Sequence, residues 1–292
     1  MNTQNKFNNN TKILGIIGHP IKHSYSPLMH NIAFELAGLN YIYLPFDVPT
    51  SLLKDSLKGI IALGIKGFNV TLPLKEKIIP LLKDVSEEAS IIGAVNTVVN
   101  DDGVLRGFNS DVIGVVESLN PYRDNLQNAN VTVIGAGGAA RSVIYALIRN
   151  FKVGRINIIN RTEQIAESLK EYFSSKMLFN KIKAYHLVPP DVVKVLQDSK
   201  LIVNTSTIGM FPDIDDSATT IPESFSKDQI VFDVVYTPVK TKFLKIAEQQ
   251  GATVITGLKM FVEQGAHSFE LWTGQKMETE KVLRALEFYL NN

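Results

Sequence analysis

One segment constrains this chain more than any other: a β-branched run that passes straight into a glycine loop and then into a helix. It reads Val131-Thr-Val-Ile-Gly135-Ala136-Gly137-Gly138-Ala139-Ala140-Arg141. Gly-x-Gly-x-x-Ala between a strand and a helix is the context of a dinucleotide-binding turn. Gly135 suits the tight turn, Gly137 the approach of backbone to a pyrophosphate, and Ala140 close helix–sheet packing. The helix N-terminus adds N–H groups and a partial positive charge for phosphates. The competing reading is a glycine-rich turn with no ligand. The strand that follows weighs against it: Arg155–Ile159 ends in Asn160-Arg161-Thr162. NAD binders usually place a carboxylate near this point to hold the ribose 2′-hydroxyl. Here a guanidinium stands instead, and it can grip a 2′-phosphate through charge-assisted hydrogen bonds. NADP is therefore expected over NAD. Glu163 works slightly against that preference, and Arg161 as a merely solvated side chain is the competing reading.

The rest of the chain is organised around that turn. At 292 residues and ~150 residues per domain, about two domains are expected. Upstream, Lys12–Ile17 reads as a strand meeting Gly18 and Pro20. Ser26-Pro27 opens a helix, 41–46 alternates like a strand, 50–63 is helical in pattern, and Gly67–Thr71 is a short strand. Strand and helix taking turns is the rhythm of an α/β domain. Downstream, a short helix is expected at 112–119. The strands expected there are Val131–Ile134, Ile156–Ile159, Leu201–Val203, Ile230–Val234 and a weaker Thr253–Ile255. Helices are expected at 139–149, 163–173 and 240–249, and two more at 258–273 and 277–290. Residues 1–11, polar and rich in Asn, are expected to form a disordered arm.

Composition removes several function classes. Thirty Lys and Arg against 29 Asp and Glu leave a formal charge of +1, which argues against a general nucleic-acid or anionic-membrane binder. With no Cys, disulfides, thiolate metal sites and a cysteine nucleophile are excluded together. His19, His23 and His30 lack the partners a metal site needs, so no metal is expected. No signal-like segment or apolar run of ~18 residues is present, and the cytoplasm is the expected location.

Three polar segments precede the glycine loop. The first, Gly18-His-Pro-Ile-Lys-His23-Ser24-Tyr-Ser26-Pro27, puts two hydroxyls two residues apart. In an extended loop they face the same way and could meet one polyhydroxylated ligand; equally, Ser26 could simply cap the helix. The second is Asn69-Val-Thr71-Leu-Pro73-Leu-Lys75. The third is Asn96-Thr97, followed by Asn109-Ser-Asp111. An amine and a carboxylate brought together could hold a substrate hydroxyl and move its proton. A lone lysine is ordinarily a solvated charge, so that reading depends on the fold.

The ordered set HSxSP, NVTxPxK, GAVNT, GxNxD, GAGGAxR, NRT, NxTxxGM and a late GxxMxxxQ resembles the shikimate dehydrogenase family, from about Ile13 to the C-terminus. The resemblance implies an oxidoreductase that reduces 3-dehydroshikimate to shikimate with NADPH, on the path to chorismate and aromatic amino acids. It implies an α/β fold of two domains. Residues 12–110 would bind substrate, with 258–292 packing back on them; 111–257 would form a Rossmann-type, doubly wound NADP domain. By matching positions, Lys75 would be the catalytic acid/base and Asp111 its partner. Ser24, Ser26, Thr71, Asn96, Tyr236 and Gln264 would bind substrate, with Asn69 beside them. Gly135, Ala136, Gly137, Gly138 and Ala139 would cradle the pyrophosphate. Asn160, Arg161 and Thr162 would hold the 2′-phosphate, Val234 and Gly257 would lie near the nicotinamide, and Glu87 is a weaker cofactor position. The chain departs from the family pattern at Ile165, where a second basic residue is common, and at Ser110 and Val112 beside Asp111. A quinate/shikimate dehydrogenase using NAD is the alternative within the family. A non-catalytic nucleotide-sensing module is the alternative outside it. The partner is expected to be a small molecule, and a homodimer is left open.

Overall fold

The computed structural model describes residues 7–187 and 189–291. They form two compact units. One comprises the chain up to Ser110 together with Val262–Tyr289, and the other Asp111–Phe261 with Leu290 and Asn291.

The first unit alternates β1 (Lys12–Gly18), α1 (Ser26–Leu36), β2 (Tyr41–Asp47), α2 (Leu53–Ala62), β3 (Gly67–Val70), β4 (Asp84–Val85), α3 (Glu87–Ile92), β5 (Thr97–Asp101) and β6 (Val104–Phe108). Its sheet has the order β2-β1-β3-β5-β6-β4. The first three strands are parallel, and β5 runs antiparallel to both neighbours. The tight Asn100–Gly103 turn allows that reversal, with the Gly103 N–H donating to Asn100 Oδ1 at 2.8 Å. Ile17, Leu57, Ile60, Phe68, Val70 and Val98 fill the core on one side of the sheet.

The second unit contains α4 (Asp111–Leu119), α5 (Arg123–Leu126), β7 (Asn130–Ile134), α6 (Gly138–Arg149), β8 (Arg155–Asn160), α7 (Glu163–Met177), β9 (Ile182–His186), α8 (Pro189–Gln197), β10 (Leu201–Asn204), β11 (Ile230–Asp233), α9 (Lys242–Gln249) and β12 (Thr253–Ile255). The sheet order is β12-β11-β10-β7-β8-β9, and every pairing is parallel. This is the Rossmann order, whose reversal between β7 and β10 opens a crevice at the carboxyl ends of the strands. Val131, Val133, Ile156, Ile158, Ile202 and Val203 are fully buried, as expected of parallel strands covered on both faces.

Several elements escape the sequence patterns, β9 and α8 among them. β9 is an edge strand with one neighbour, and its sequence Ile-Lys-Ala-Tyr-His buries only Ile182. An edge strand needs polar residues to discourage further pairing, and that need removes the apolar run by which strands are recognised. α8 opens on two prolines, a loop signal in isolation that the first helical turn tolerates.

The last helices are α10 (Gly257–Thr273) and α11 (Thr279–Asn291). The division between units falls inside α10, between Phe261 and Val262, rather than ahead of it. At its start, Met260 lies so close to α4 that a Cβ on Gly114 would collide with the Met260 backbone. Further along, Gly265 lies against Met29 of α1, and the Trp272 indole N–H donates to the Val98 carbonyl at 3.0 Å. The helix thus gives its first turn to the second unit and its remainder to the first. Residues 7–11 are also more ordered than an arm. The Asn40 Nδ2 donates to Asn8 Oδ1 at 3.0 Å and the Thr11 hydroxyl to Asn40 Oδ1 at 2.7 Å, because short polar side chains readily bond nearby turns. Residues 1–6 lie outside the described part.

His30 sits in the first unit's aromatic core. It stacks on Tyr43 at 4.4 Å and lies 5.3 Å from Trp272, and neither ring nitrogen makes a hydrogen bond of normal geometry. Burial lowers its pKa to about 3, opposed weakly by the nearby Asn69 amide. The unfolded chain therefore takes up a proton near pH 6.5 that the folded chain refuses until about pH 3. Stability from this group is complete above pH 6.5 and is lost as pH falls through that window, by up to about 1.4 kcal/mol per pH unit. Urea unfolding of His30→Phe and wild type at pH 6.5, 5.5 and 4.5 should show the variant losing less stability on acidification. Parallel losses would contradict the buried neutral state.

Candidate active site

In the first unit the polar residues singled out from the sequence gather where β3, β5 and α10 meet. Asn69 is buried at the core of this cluster. Its Oδ1 accepts from the Tyr43 hydroxyl at 2.6 Å, and its Nδ2 faces Asn96 O, Thr97 Oγ1 and Ser268 Oγ at 3.0–3.1 Å. The Asn96 Oδ1 accepts from the Ser110 N–H at 2.7 Å, while its Nδ2 donates to Ser110 Oγ at 2.9 Å and reaches Gln264 Oε1 at 3.4 Å. Thr97, Ser110 and Ser268 close the network, their hydroxyls 2.8–3.1 Å apart. Sequence reasoning assigns no role to these three or to Tyr43. Ser268 does stand one helical turn beyond Gln264, and that spacing puts both on one face. A network this fully satisfied is stiff, so it fixes where the Asn96 and Gln264 side chains point.

The loop after β1 carries the two serines. The Ser24 Oγ accepts from the Ser26 N–H at 3.3 Å. Ser26 is buried and is not the helix cap: the N-cap position of α1 is Tyr25, with no side-chain cap bond. That removes the capping explanation for Ser26. Thr71 and Lys75 lie on the turn after β3, where the Leu74 N–H donates to the Thr71 carbonyl at 2.9 Å. The Lys75 carbonyl accepts from the Val95 N–H at 2.8 Å, which ties this turn to the segment carrying Asn96. Glu87 is exposed in the first turn of α3, behind the Ser86 cap. There a carboxylate favours the helix by itself.

In the second unit the glycine loop runs from the end of β7 into α6. Gly135 has φ +103°, and a Cβ there would lie 2.7 Å from Thr205 Oγ1. Only glycine meets both demands. Gly137 differs: a Cβ on it would enter open space. It is the N-cap of α6, with no side-chain cap bond. The start of α6 thus carries no side-chain cap and has open space at its N-cap, an arrangement that suits a pyrophosphate. Ala136 and Ala139 are half-buried in the same turn, and Gly138 is buried. A cavity of about 80 Å³ is lined by Gly135, Asn160, Arg161, Leu187, Ser206 and Ile208, among others. Asn160 Nδ2 donates to the Thr162 carbonyl at 2.9 Å, shaping the turn that exposes Arg161. The donor set thus fits a phosphorylated dinucleotide.

At the far end of this sheet, a Cβ on Gly257 would collide with the carbonyls of Val234 and Val235. Tyr236 stacks on Phe261 at 4.2 Å. Asp111 is buried as the first residue of α4, where its negative charge meets the helix's positive end. Asp233, not singled out from the sequence, is fully buried beside Val234. Burial pushes its carboxyl up to about 7, against hydrogen bonds from Thr241, Val235 and Asn204 that favour the anion. Among the described residues, no group of three or more His, Cys, Asp or Glu is placed to hold a metal.

The strand order, the glycine cradle and the strand-end arginine define a Rossmann-type dinucleotide-binding unit. Comparison with known proteins narrows this. Residues 16–98 match the shikimate dehydrogenase substrate binding domain, 118–216 the shikimate/quinate 5-dehydrogenase family, and 257–287 the shikimate 5′-dehydrogenase C-terminal domain. The NADP+ shikimate dehydrogenase of Caldanaerobacter subterraneus subsp. tengcongensis is 42% identical over 277 residues, covering 95% of this chain and 97% of that protein. A crystal structure of a shikimate dehydrogenase with NADP+ superposes with TM-score 0.89 at 39% identity, covering 97% of each chain. The Thermus thermophilus enzyme, crystallised with NADP(H) and shikimate, gives TM-score 0.81 at 36% identity, covering 94% of this chain and 98% of that one. The chain belongs to the shikimate dehydrogenase family.

Proposed function

We propose that this chain catalyses the reversible, NADPH-dependent reduction of 3-dehydroshikimate to shikimate, on the route to chorismate and the aromatic amino acids. One observation carries the reading. A match at 42% identity to an NADP-dependent shikimate dehydrogenase spans 95% of the chain, and the phosphate-binding features of the second unit fall within it.

Bound NADPH supplies the hydride. The protein supplies orientation, electrostatics and the proton. Lys75, on the turn after β3, is the acid/base: protonated, it stabilises charge developing on the carbonyl oxygen and donates the proton, and it takes one back in the reverse direction. Asp111 accepts a hydrogen bond from a substrate hydroxyl. Ser24, Ser26, Thr71, Asn96, Gln264 and Tyr236 hold the remaining hydroxyls and the carboxylate, which fixes the ring carbon that reacts. Asn69 has its amide engaged by Tyr43, Asn96, Thr97 and Ser268. Its part is therefore to hold Asn96 in place. Gly135–Ala139 cradle the pyrophosphate, Asn160, Arg161 and Thr162 bind the 2′-phosphate, and Val234 and Gly257 border the nicotinamide. Glu87, exposed and suited to its helix end, keeps only a weak claim on the cofactor.

The partner is a small molecule. No helix among the described residues is long and apolar enough to cross a membrane, and the near-neutral charge offers no attraction to nucleic acid. We place the enzyme in the cytoplasm. The deciding assay follows NADPH absorbance with 3-dehydroshikimate, then NADP+ reduction with shikimate and with quinate. Turnover on shikimate well above quinate is expected. No oxidation of NADPH would overturn the proposal.

A further inference from the structure

Asp233 closes β11, fully buried, and no role in the chemistry above uses it. Its Oδ1 accepts from the Val235 N–H and from Asn204 Nδ2, both at 3.0 Å, and its Oδ2 accepts from the Thr241 hydroxyl at 2.6 Å. All of these partners donate, so the site is built for an acceptor-only group. The network continues on both sides. The Asn204 Oδ1 accepts from the Ser206 N–H at 3.1 Å and the Ser206 hydroxyl at 2.7 Å. Thr241 is the N-cap of α9, accepting from the Leu244 N–H at 3.4 Å. Two segments are thereby joined. One is the turn after β10, whose Thr205 packs against Gly135 of the cofactor loop. The other is the stretch from Val234 to Thr241, which carries Tyr236. A buried carboxylate is poor evidence for stability as such, since desolvation opposes it; its value lies in fixing geometry.

We propose that Asp233 is a positioning residue for hydride transfer, clamping the 204–208 turn to the 234–241 segment so that the backbone at Val234 keeps its place beside the nicotinamide and Tyr236 its place at the substrate. This rests on the assignment of the second unit as the NADP unit.

Asp233→Asn keeps the volume but turns an amide N–H toward a donor. In the cofactor-free protein, hydrogen exchange followed by mass spectrometry should speed up in peptides covering 204–208 and 234–241 and stay unchanged in 135–149. NADP+ binding, read by calorimetry, should change by less than about threefold, because the pyrophosphate and adenosine contacts lie elsewhere. Turnover should fall tenfold or more. The primary isotope effect with NADPH deuterated at the transferred position should rise as hydride transfer becomes limiting. A merely structural role would lower the folded fraction and leave the isotope effect at its wild-type value; that result, or turnover within twofold of wild type, would overturn the proposal. If Asp233→Asn does not fold, Thr241→Val and Thr241→Ser decide. The valine should reproduce the raised isotope effect and the serine, which keeps the hydroxyl, should reverse it; identical behaviour of the two would overturn the proposal. Wild-type protein that binds NADP+ but never reduces 3-dehydroshikimate would instead remove the reading on which this rests.

Discussion

Lys75→Ala is expected to lower kcat by about 10²- to 10⁴-fold, the usual worth of a positioned acid/base, while leaving the fold intact. The side chain is only half-buried, and the local structure is held by backbone. The Lys75 carbonyl still accepts from the Val95 N–H, and the Leu74 N–H still donates to Thr71. Stability should therefore change by no more than about 0.5 kcal/mol. Lys75→Arg separates charge from proton transfer. A guanidinium keeps the positive charge but does not release a proton near neutrality, so it should restore substrate affinity more than turnover. Steady-state rates with 3-dehydroshikimate, read beside thermal unfolding, make the test. An alanine variant with near-normal turnover would remove Lys75 from the chemistry.

Arg161→Ala is expected to lower kcat/KM for NADPH by about 10- to 100-fold and to leave NADH within about twofold. The first figure is the worth of a hydrogen bond to a charged group, about 1.5–3 kcal/mol. The second follows because NADH has no 2′-phosphate to lose. Arg161 is exposed, so the NADPH effect should shrink as salt is raised. Ile165, in the first turn of α7 and 49% exposed, offers the converse experiment. Ile165→Arg adds a cation at the position where the family often has one and should raise the preference for NADPH. Equal losses on both cofactors for Arg161→Ala would overturn the 2′-phosphate assignment.

The parts of the site that lie within a dozen residues of one another are legible without the fold. Gly135 and Gly137 belong to a strand–turn–helix unit whose geometry follows from neighbouring residues, and Arg161 is read separately, at the end of the next strand. The structure adds the reason glycine is needed at Gly135, its positive φ against Thr205; at Gly137 it shows open space. Ser26 shows the limit of that approach. As a residue ahead of Pro27 it reads equally as cap or ligand, and only the observed cap position at Tyr25 separates the two. β9 escapes for a different reason, because an edge strand has no need of the apolar alternation that marks other strands.

How the Asn69 cluster assembles cannot be read from local pattern, although Asn69 and Asn96 stand out there in polar segments. Asn69 and Ser268 are 199 residues apart, and Thr97 and Ser110 look like ordinary strand and loop hydroxyls until β3, β5 and α10 converge. Asp233 is similar: a carboxylate at a strand end normally suggests solvent, and its burial depends on β10, β11 and the start of α9 closing around it.

By itself the sequence determined the alternation of strands and helices, the glycine turn and the cation at the end of β8. Those features rest on backbone preferences and side-chain spacing that act over one or two turns of chain. The tertiary structure alone decided which polar groups are already satisfied and which still face outward, and where one helix passes from one unit to the other. Hydrogen-bond saturation and burial are properties of neighbours in space, and here those neighbours come from segments far apart along the chain.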